Sequence, residues 1–208
     1  MGLRERKRQQ TRQELIGAAM RLFEEKGYEQ TTVAEIAAAA GVSTKTFFNY
    51  FASKDEVLFP HLSRRIDSAV ALIERRGPDD QMAEVVVAAM QHMLADALTE
   101  EVEGGLAAVR LPMLLSVPAV QAATLHRYFL AENQLAHALR RAYSDVLDSA
   151  SAAAVVGSVM GAAIAAAVVC LQEGNTIQQL QVAVEHAVGM AIRGIGNVEP
   201  SASRFAAD

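Results

Sequence analysis

The sequence predicts an all-α protein, and three observations carry that expectation. Apolar residues make up 51% of the 208 positions, dominated by alanine with leucine and methionine, and β-branched runs are few. Ala and Leu favour helix over strand. Apolar residues recur at intervals of three and four along most of the chain, and the alternation of a half-buried strand is missing. Helix starts and stops are marked by Thr/Ser…Glu boxes and by glycines. The expected architecture is an N-terminal three-helix unit containing a helix-turn-helix, then a C-terminal antiparallel helical domain, about nine helices in all.

Leu15, Ala19, Leu22 and Phe23 share one face of a first helix over residues 10–26, closed by Gly27. Thr32-Val33-Ala34-Glu35 is a capping box opening a second helix through Ala40, and Gly41 stops it. Ser43 caps a third helix running to about Phe51. Ser53-Lys54-Asp55-Glu56 is a second capping box, opening a fourth helix towards Arg76 with Pro60 kinking it near its start. Gly77-Pro78-Asp79-Asp80 is the clearest breaker, which places the domain boundary there. Residues 1–54 then form an arm and a helix-turn-helix domain, residues up to about 76 a connecting helix, and residues 77–208 a second domain. That domain holds a helix over 81–98 and one from Gly104-Gly105 that Pro112 bends or ends. Further helices run from Pro118 to about Tyr143, over 149–173 and over 176–195, and residues 196–208 read as a polar tail.

Charge divides the same way. The net charge is −5, yet residues 1–76 carry 13 Lys and Arg against 10 Asp and Glu, while residues 77–208 carry 6 against 14. A basic front and an acidic back suit a chain whose front alone meets a polyanion. One cysteine, Cys170, allows no internal disulfide, and the polar, basic start from Met1 to Gln13 reads as no secretory signal, so the expectation is cytoplasmic. Residues 152–171 are uncharged and long enough to span a bilayer, but they are mostly Ala, Gly and Ser without flanking basic clusters. A buried helix is the expectation there, and no membrane partner.

The second and third helices are separated only by Gly41-Val42-Ser43, the short glycine-led turn of a helix-turn-helix. Ile36, Ala37, Ala40, Val42, Phe47 and Phe51 supply its small core, which leaves Thr44, Lys45, Thr46, Phe48, Asn49 and Tyr50 outward. Those types read DNA: Lys meets phosphate or guanine, Asn meets adenine, and Thr or an aromatic ring meets a thymine methyl. Thr32 and Ser43 equally suit plain helix caps, and Lys45 a solvated charge. The basic arm Arg4, Arg6, Lys7, Arg8 and Arg12 fits either solvation or a further groove or phosphate contact.

The run from Gly27 through Ala37 (GYEQTTVAEIA), then Ala40-Gly41-Val42-Ser43, then Thr46 through Lys54 (TFFNYFASK), resembles the signature of the TetR family of transcriptional regulators. The resemblance covers residues 10–59; residues 77–208 follow the family only in helix number and lengths. It implies a homodimeric regulator, commonly a repressor, bound to a palindromic double-stranded operator and released by a small molecule. By position it puts Thr32 and Val33 against a phosphate, and Ser43, Thr44, Lys45, Thr46, Phe48, Asn49 and Tyr50 in or beside the groove. Lys54 would meet the DNA backbone. The family often has Tyr where this chain has Phe48, so a hydroxyl contact to phosphate is missing and falls to Tyr50 and Lys54.

In the back half, Gly157, Gly161 and Ala165 leave one helical face with little bulk, facing an apolar stripe of Val184, Val188 and Ala191. The family resemblance makes these a homodimer interface; burial of the two faces within one chain is the alternative. Met90, Met93, Met113, Leu114 and Phe129 are candidate apolar lining for a ligand pocket. Arg110, in an apolar run, would meet an anionic head group or else pair with an acid or reach solvent. The TFFNYF segment with this back half resembles an actinobacterial-like subgroup associated with acyl-CoA-like ligands, which makes acyl-CoA or a fatty acid the candidate effector.

No phosphate loop, dinucleotide fingerprint or nucleophile elbow is present, and the histidines lack zinc-ligand spacing. Catalytic residues, metal and cofactor are therefore expected to be none. Two other readings remain open. A DNA-binding architectural or constitutive regulator without a ligand would have a filled core, and a protein-interaction module would bind its partner without the salt dependence of DNA binding.

Overall fold

The computed structural model describes residues 2–104 and 107–195, with side chains over those ranges except 98–108 and 195. Among them are nine α-helices and no strand. They are α1 (Leu3–Lys26), α2 (Val33–Ala39), α3 (Thr44–Phe48), α4 (Leu62–Glu74), α5 (Met82–Gly104), α6 (Ala107–Ser116), α7 (Pro118–Ala142), α8 (Ser149–Gln172) and α9 (Ile177–Ile195), with a 3-10 turn at Asp55–Leu58 before α4. The all-α expectation holds. The expected polar tail lies outside the described residues.

Local sequence explains most of the boundaries. Thr32 and Glu35 form the expected box, the Thr32 side chain accepting from the Glu35 amide at 3.3 Å and the Glu35 carboxylate from the Thr32 amide at 2.9 Å. Gly41 turns the chain between α2 and α3 at φ +67°, a conformation that residues with a Cβ rarely adopt. Asp148 caps α8 through the Ser151 amide at 2.7 Å, and Thr176 caps α9 through the Gln179 amide at 3.3 Å. Two expectations fail. The third helix ends at Phe48 rather than Phe51, with Asn49 as its cap. The fourth does not start at a Ser53–Glu56 box, because the Glu56 carboxylate accepts instead from the Ala52 amide. Continuous helix here would drive the Pro60 ring into the Glu56 carbonyl, so the chain makes a 3-10 turn and restarts at Leu62.

The chain divides into two compact units, Met1–Leu62 with Gly104–Thr124, and Ser63–Glu103 with Leu125–Asp208. The boundary expected at Gly77 therefore falls inside the second unit. The first unit is built on Leu15, Ile16, Ala19, Phe23, Ile36, Phe47, Phe51, Val57 and Leu58, joined by Met113 from α6 and Val120 from the start of α7. These two late residues complete a core that α1–α3 begin.

The second unit buries Ile66, Ala69 and Ile73 of α4, Val86 and Ala89 of α5, Leu135, Ala138 and Leu139 of α7, and Val155, Val156 and Val159 of α8. Its α4–α5 turn is pinned by Arg76, which donates to the Ala142 carbonyl at 2.7 Å and lies over the Tyr143 ring at 4.0 Å. The Tyr143 hydroxyl donates to the Asp80 carbonyl at 3.1 Å. Burial raises the Tyr143 pKa, opposed by the nearby Arg76 charge.

The small-residue face of α8 is half-buried at Gly157 and Gly161. A Cβ on Gly157 would meet the Glu132 carboxylate oxygen at 2.7 Å, and one on Gly161 would meet the Tyr128 hydroxyl at 3.9 Å, both on α7 of the same chain. Val184 and Val188 are buried within the monomer, where α9 packs along α8. Of the six residues expected at a dimer interface, Val184 and Val188 are thus buried within the chain, while Gly157 and Gly161 are half-buried beneath side chains of α7. Ala165 is exposed and Ala191 half-buried. Gly161→Ala should therefore stabilise the chain by about 0.5–1 kcal/mol in denaturant unfolding, since it improves helix propensity without a clash. Gly157→Ala should gain less or lose, because it displaces Glu132; equal effects at both positions would contradict the Glu132 contact over Gly157.

Candidate nucleic-acid interface

The helix-turn-helix presents α3 on a firm base. Phe47 is fully buried, its ring tilted against Phe51 at 5.6 Å between centroids, and it sets which face of α3 looks inward. Thr44, Lys45, Phe48 and Asn49 are consequently exposed and form two i,i+4 pairs, Thr44 with Phe48 and Lys45 with Asn49. Phe48 stands edge-on to Phe47 at 5.5 Å with its own ring 55% exposed.

The other sequence-predicted contacts are more engaged in structure. The Ser43 hydroxyl caps α3 through the Thr46 amide at 3.1 Å and lies 2.9 Å from the Thr46 hydroxyl. Thr32 is held in its capping box, and its hydroxyl donates to the Glu35 carboxylate at 2.7 Å. Val33 and Tyr50 pack partly buried against the first core. The Glu35 carboxylate is also paired with Lys26, and these bonds to Lys26 and Thr32 hold its pKa down at about 2 from the usual 4.5.

Lys54, expected at the DNA backbone, is already bonded within the chain. Its ammonium donates to the Tyr28 carbonyl at 2.7 Å and the Thr31 carbonyl at 2.9 Å, and it lies 4.1 Å from the Tyr28 ring centroid. It ties the loop before α2 to the segment after α3, so it orders the helix-turn-helix from inside. Residues that sequence reasoning missed act in the same way. Arg12 donates to the Pro60 carbonyl at 3.1 Å and covers the Phe51 ring at 4.7 Å. The buried Thr31 hydroxyl sits on the Gly27 carbonyl at 2.8 Å. Arg12 was visible only as one charge of a basic arm, and its acceptor is a distant main-chain carbonyl that no residue identity announces.

The six candidate pocket residues fall into both units. Met90, Met93 and Phe129 belong to the second unit, where the two methionines are half-buried and Phe129 is 60% exposed. Met113 is core of the first unit, Leu114 packs against that core, and Arg110 donates to the Leu58 carbonyl at 3.0 Å. The apolar run around Arg110 thus packs with the helix-turn-helix, and Arg110 satisfies a carbonyl at the end of the 3-10 turn. Among the described residues no group of His, Cys, Asp and Glu is arranged to hold a metal ion.

The two hydrogen bonds donated by Lys54 make a measurable distinction. Lys54→Met should cost about 1–3 kcal/mol of unfolding free energy even without DNA, since it leaves two carbonyls without their charged donor. Unchanged stability with weakened DNA binding would instead make Lys54 a phosphate contact only.

Comparison with known proteins agrees with this geometry. Residues 15–59 match the family model described as bacterial regulatory proteins, tetR family. The HTH-type transcriptional regulator TcmR of Streptomyces glaucescens is 36% identical over 138 residues, 65% of this chain and 61% of that protein. The match thus spans less than two thirds of the relative's own length. Two solved structures share the fold. Thermus thermophilus FadR, a TetR family transcriptional repressor in complex with lauroyl-CoA, aligns at TM-score 0.54 and 23% identity over 88% of this chain and 94% of that one. Bacillus subtilis FadR, in complex with stearoyl-CoA, aligns at TM-score 0.54 and 16% identity over 88% and 98%. The helix-turn-helix segment of this chain is thus similar to the tetR family of bacterial regulatory proteins, and the match rests on residues 15–59.

Proposed function

We propose that the chain is a cytoplasmic, homodimeric repressor that binds a palindromic DNA operator through α3 and is released by an amphipathic small molecule of the acyl-CoA or fatty acid class. The observation that carries the DNA reading is the outward face of α3, where Thr44, Lys45, Phe48 and Asn49 stand exposed above a buried Phe47. The basic front half supports it, because phosphate neutralisation needs positive charge near the groove.

The dimer reading draws support from apolar side chains left exposed on the last two helices: Ile164, Val168 and Val169 on α8, Val182 and Met190 on α9. By length and composition α8 is also long and apolar enough to cross a membrane. Its packing along α9 favours the soluble reading, with the exposed apolar face covered by a second copy. Two DNA half-sites about one or more helical turns apart would then be bound jointly.

The effector class is supported by the acyl-CoA complexes of the two FadR neighbours and by the half-buried Met90 and Met93 of α5. A ligand releases DNA only if it binds the DNA-incompetent arrangement better than the competent one. About 1.4 kcal/mol of such preference gives tenfold weaker operator binding. α6 and the start of α7 are the elements through which that preference would reach the helix-turn-helix, since Met113 and Val120 belong to its core.

Selection of bound sequences from random DNA tests the reading. A palindromic operator should emerge, with affinity falling steeply as salt rises. Lys45→Ala and Asn49→Ala should each weaken binding by about 1–3 kcal/mol at unchanged thermal stability. Recovery of no preferred sequence, or full affinity in both variants, would remove α3 as the reading surface.

A further inference from the structure

We infer that Phe48, with the methyl group of Thr44 one turn before it, reads the 5-methyl group of a thymine in each operator half-site. This rests on the DNA reading above and names the base class that one edge of α3 selects. Lys45 and Asn49 make the other edge polar, able to bond phosphate or base edges. The Phe48 edge has no such capacity. Its ring carries no hydroxyl to donate to a phosphate, and the major groove offers one apolar group, the thymine methyl.

The ring is also held ready. Phe48 meets Phe47 edge-to-face at 5.5 Å and an interplanar angle of 85°, and Phe47 is itself fully buried. An aromatic ring 55% exposed at the end of a five-residue helix is a poor arrangement for the free chain, which burying it would relieve. Thr44 lies exposed at i−4, and its hydroxyl side and methyl side let it border both edges. A methyl group packed on this pair gives sequence preference without a hydrogen bond.

The test uses the full chain and the operator recovered by selection. Each dT of one half-site is replaced in turn by deoxyuridine, which removes only the 5-methyl group. One position should lose about fourfold in affinity, the burial of one methyl, and the symmetric double replacement about fifteenfold. Phe48→Ala should bind more weakly and no longer distinguish dT from deoxyuridine at that position. Phe48→Tyr, which keeps the ring, should retain the distinction and guards against misfolding of the alanine variant. Restoring the methyl as 5-methylcytosine, in a matched pair with dG, should favour binding over unmodified dC. Sequence-specific binding indifferent to deoxyuridine at every position overturns the inference and leaves the DNA reading standing. Methyl discrimination that persists in Phe48→Ala overturns it as well. Absence of any sequence-specific binding overturns both.

Discussion

The recognition surface depends on one constraint: α3 is five residues long and has to be held by its surroundings. A helix that short is far below the length at which helices persist alone in water. Its existence and its orientation are imposed by Phe47 and Phe51, buried against Leu15, Ile16, Phe23 and Ile36, and by the Ser43 cap. Once Phe47 points inward, the 3.6-residue period leaves Thr44, Lys45, Phe48 and Asn49 facing out. The chemistry offered to DNA is thus the complement of a packing choice.

Two cations secure that choice from the flanks. Lys54 and Arg12 both donate to main-chain carbonyls and lie on aromatic faces, of Tyr28 and Phe51. Each bridges segments that the turn residues alone would leave loosely related. Together with the Thr32–Glu35 box they make the helix-turn-helix an internally bonded module. Arg110 adds a third donor, on the Leu58 carbonyl, and brings α6 into the same module. A charge used this way shapes the site without touching a ligand.

What the sequence made legible was local. The Thr32–Glu35 box, the Gly41 turn, the helix starts near residues 149 and 176 and the outward Thr44, Lys45, Phe48 and Asn49 follow from spacings of three or four, which neighbours along the chain enforce. The tertiary assignments were not legible. Met113 reads as apolar lining, but hydrophobic periodicity says that a residue is buried and not against what. Gly157 and Gly161 announce close approach, and what lies over them within the chain is the ends of the Glu132 and Tyr128 side chains. Lys54 and Arg12 bond carbonyls 26 and 48 residues away, and every residue has a carbonyl, so nothing in composition marks the acceptor. Pro60 shows the reverse case: a local rule that predicts a kink within one helix, where the chain instead breaks the helix altogether.

The recognition helix is held by a core to which α6 contributes Met113. Amide hydrogen exchange of Met113→Ala, read residue by residue, tests it most directly. Truncating this buried side chain should cost about 2–5 kcal/mol. Exchange should quicken at Phe47, Tyr50 and Phe51 in step with α1, because one cooperative unit carries them all. Loosening confined to α6, with protection in α1 and α3 unchanged, would contradict it.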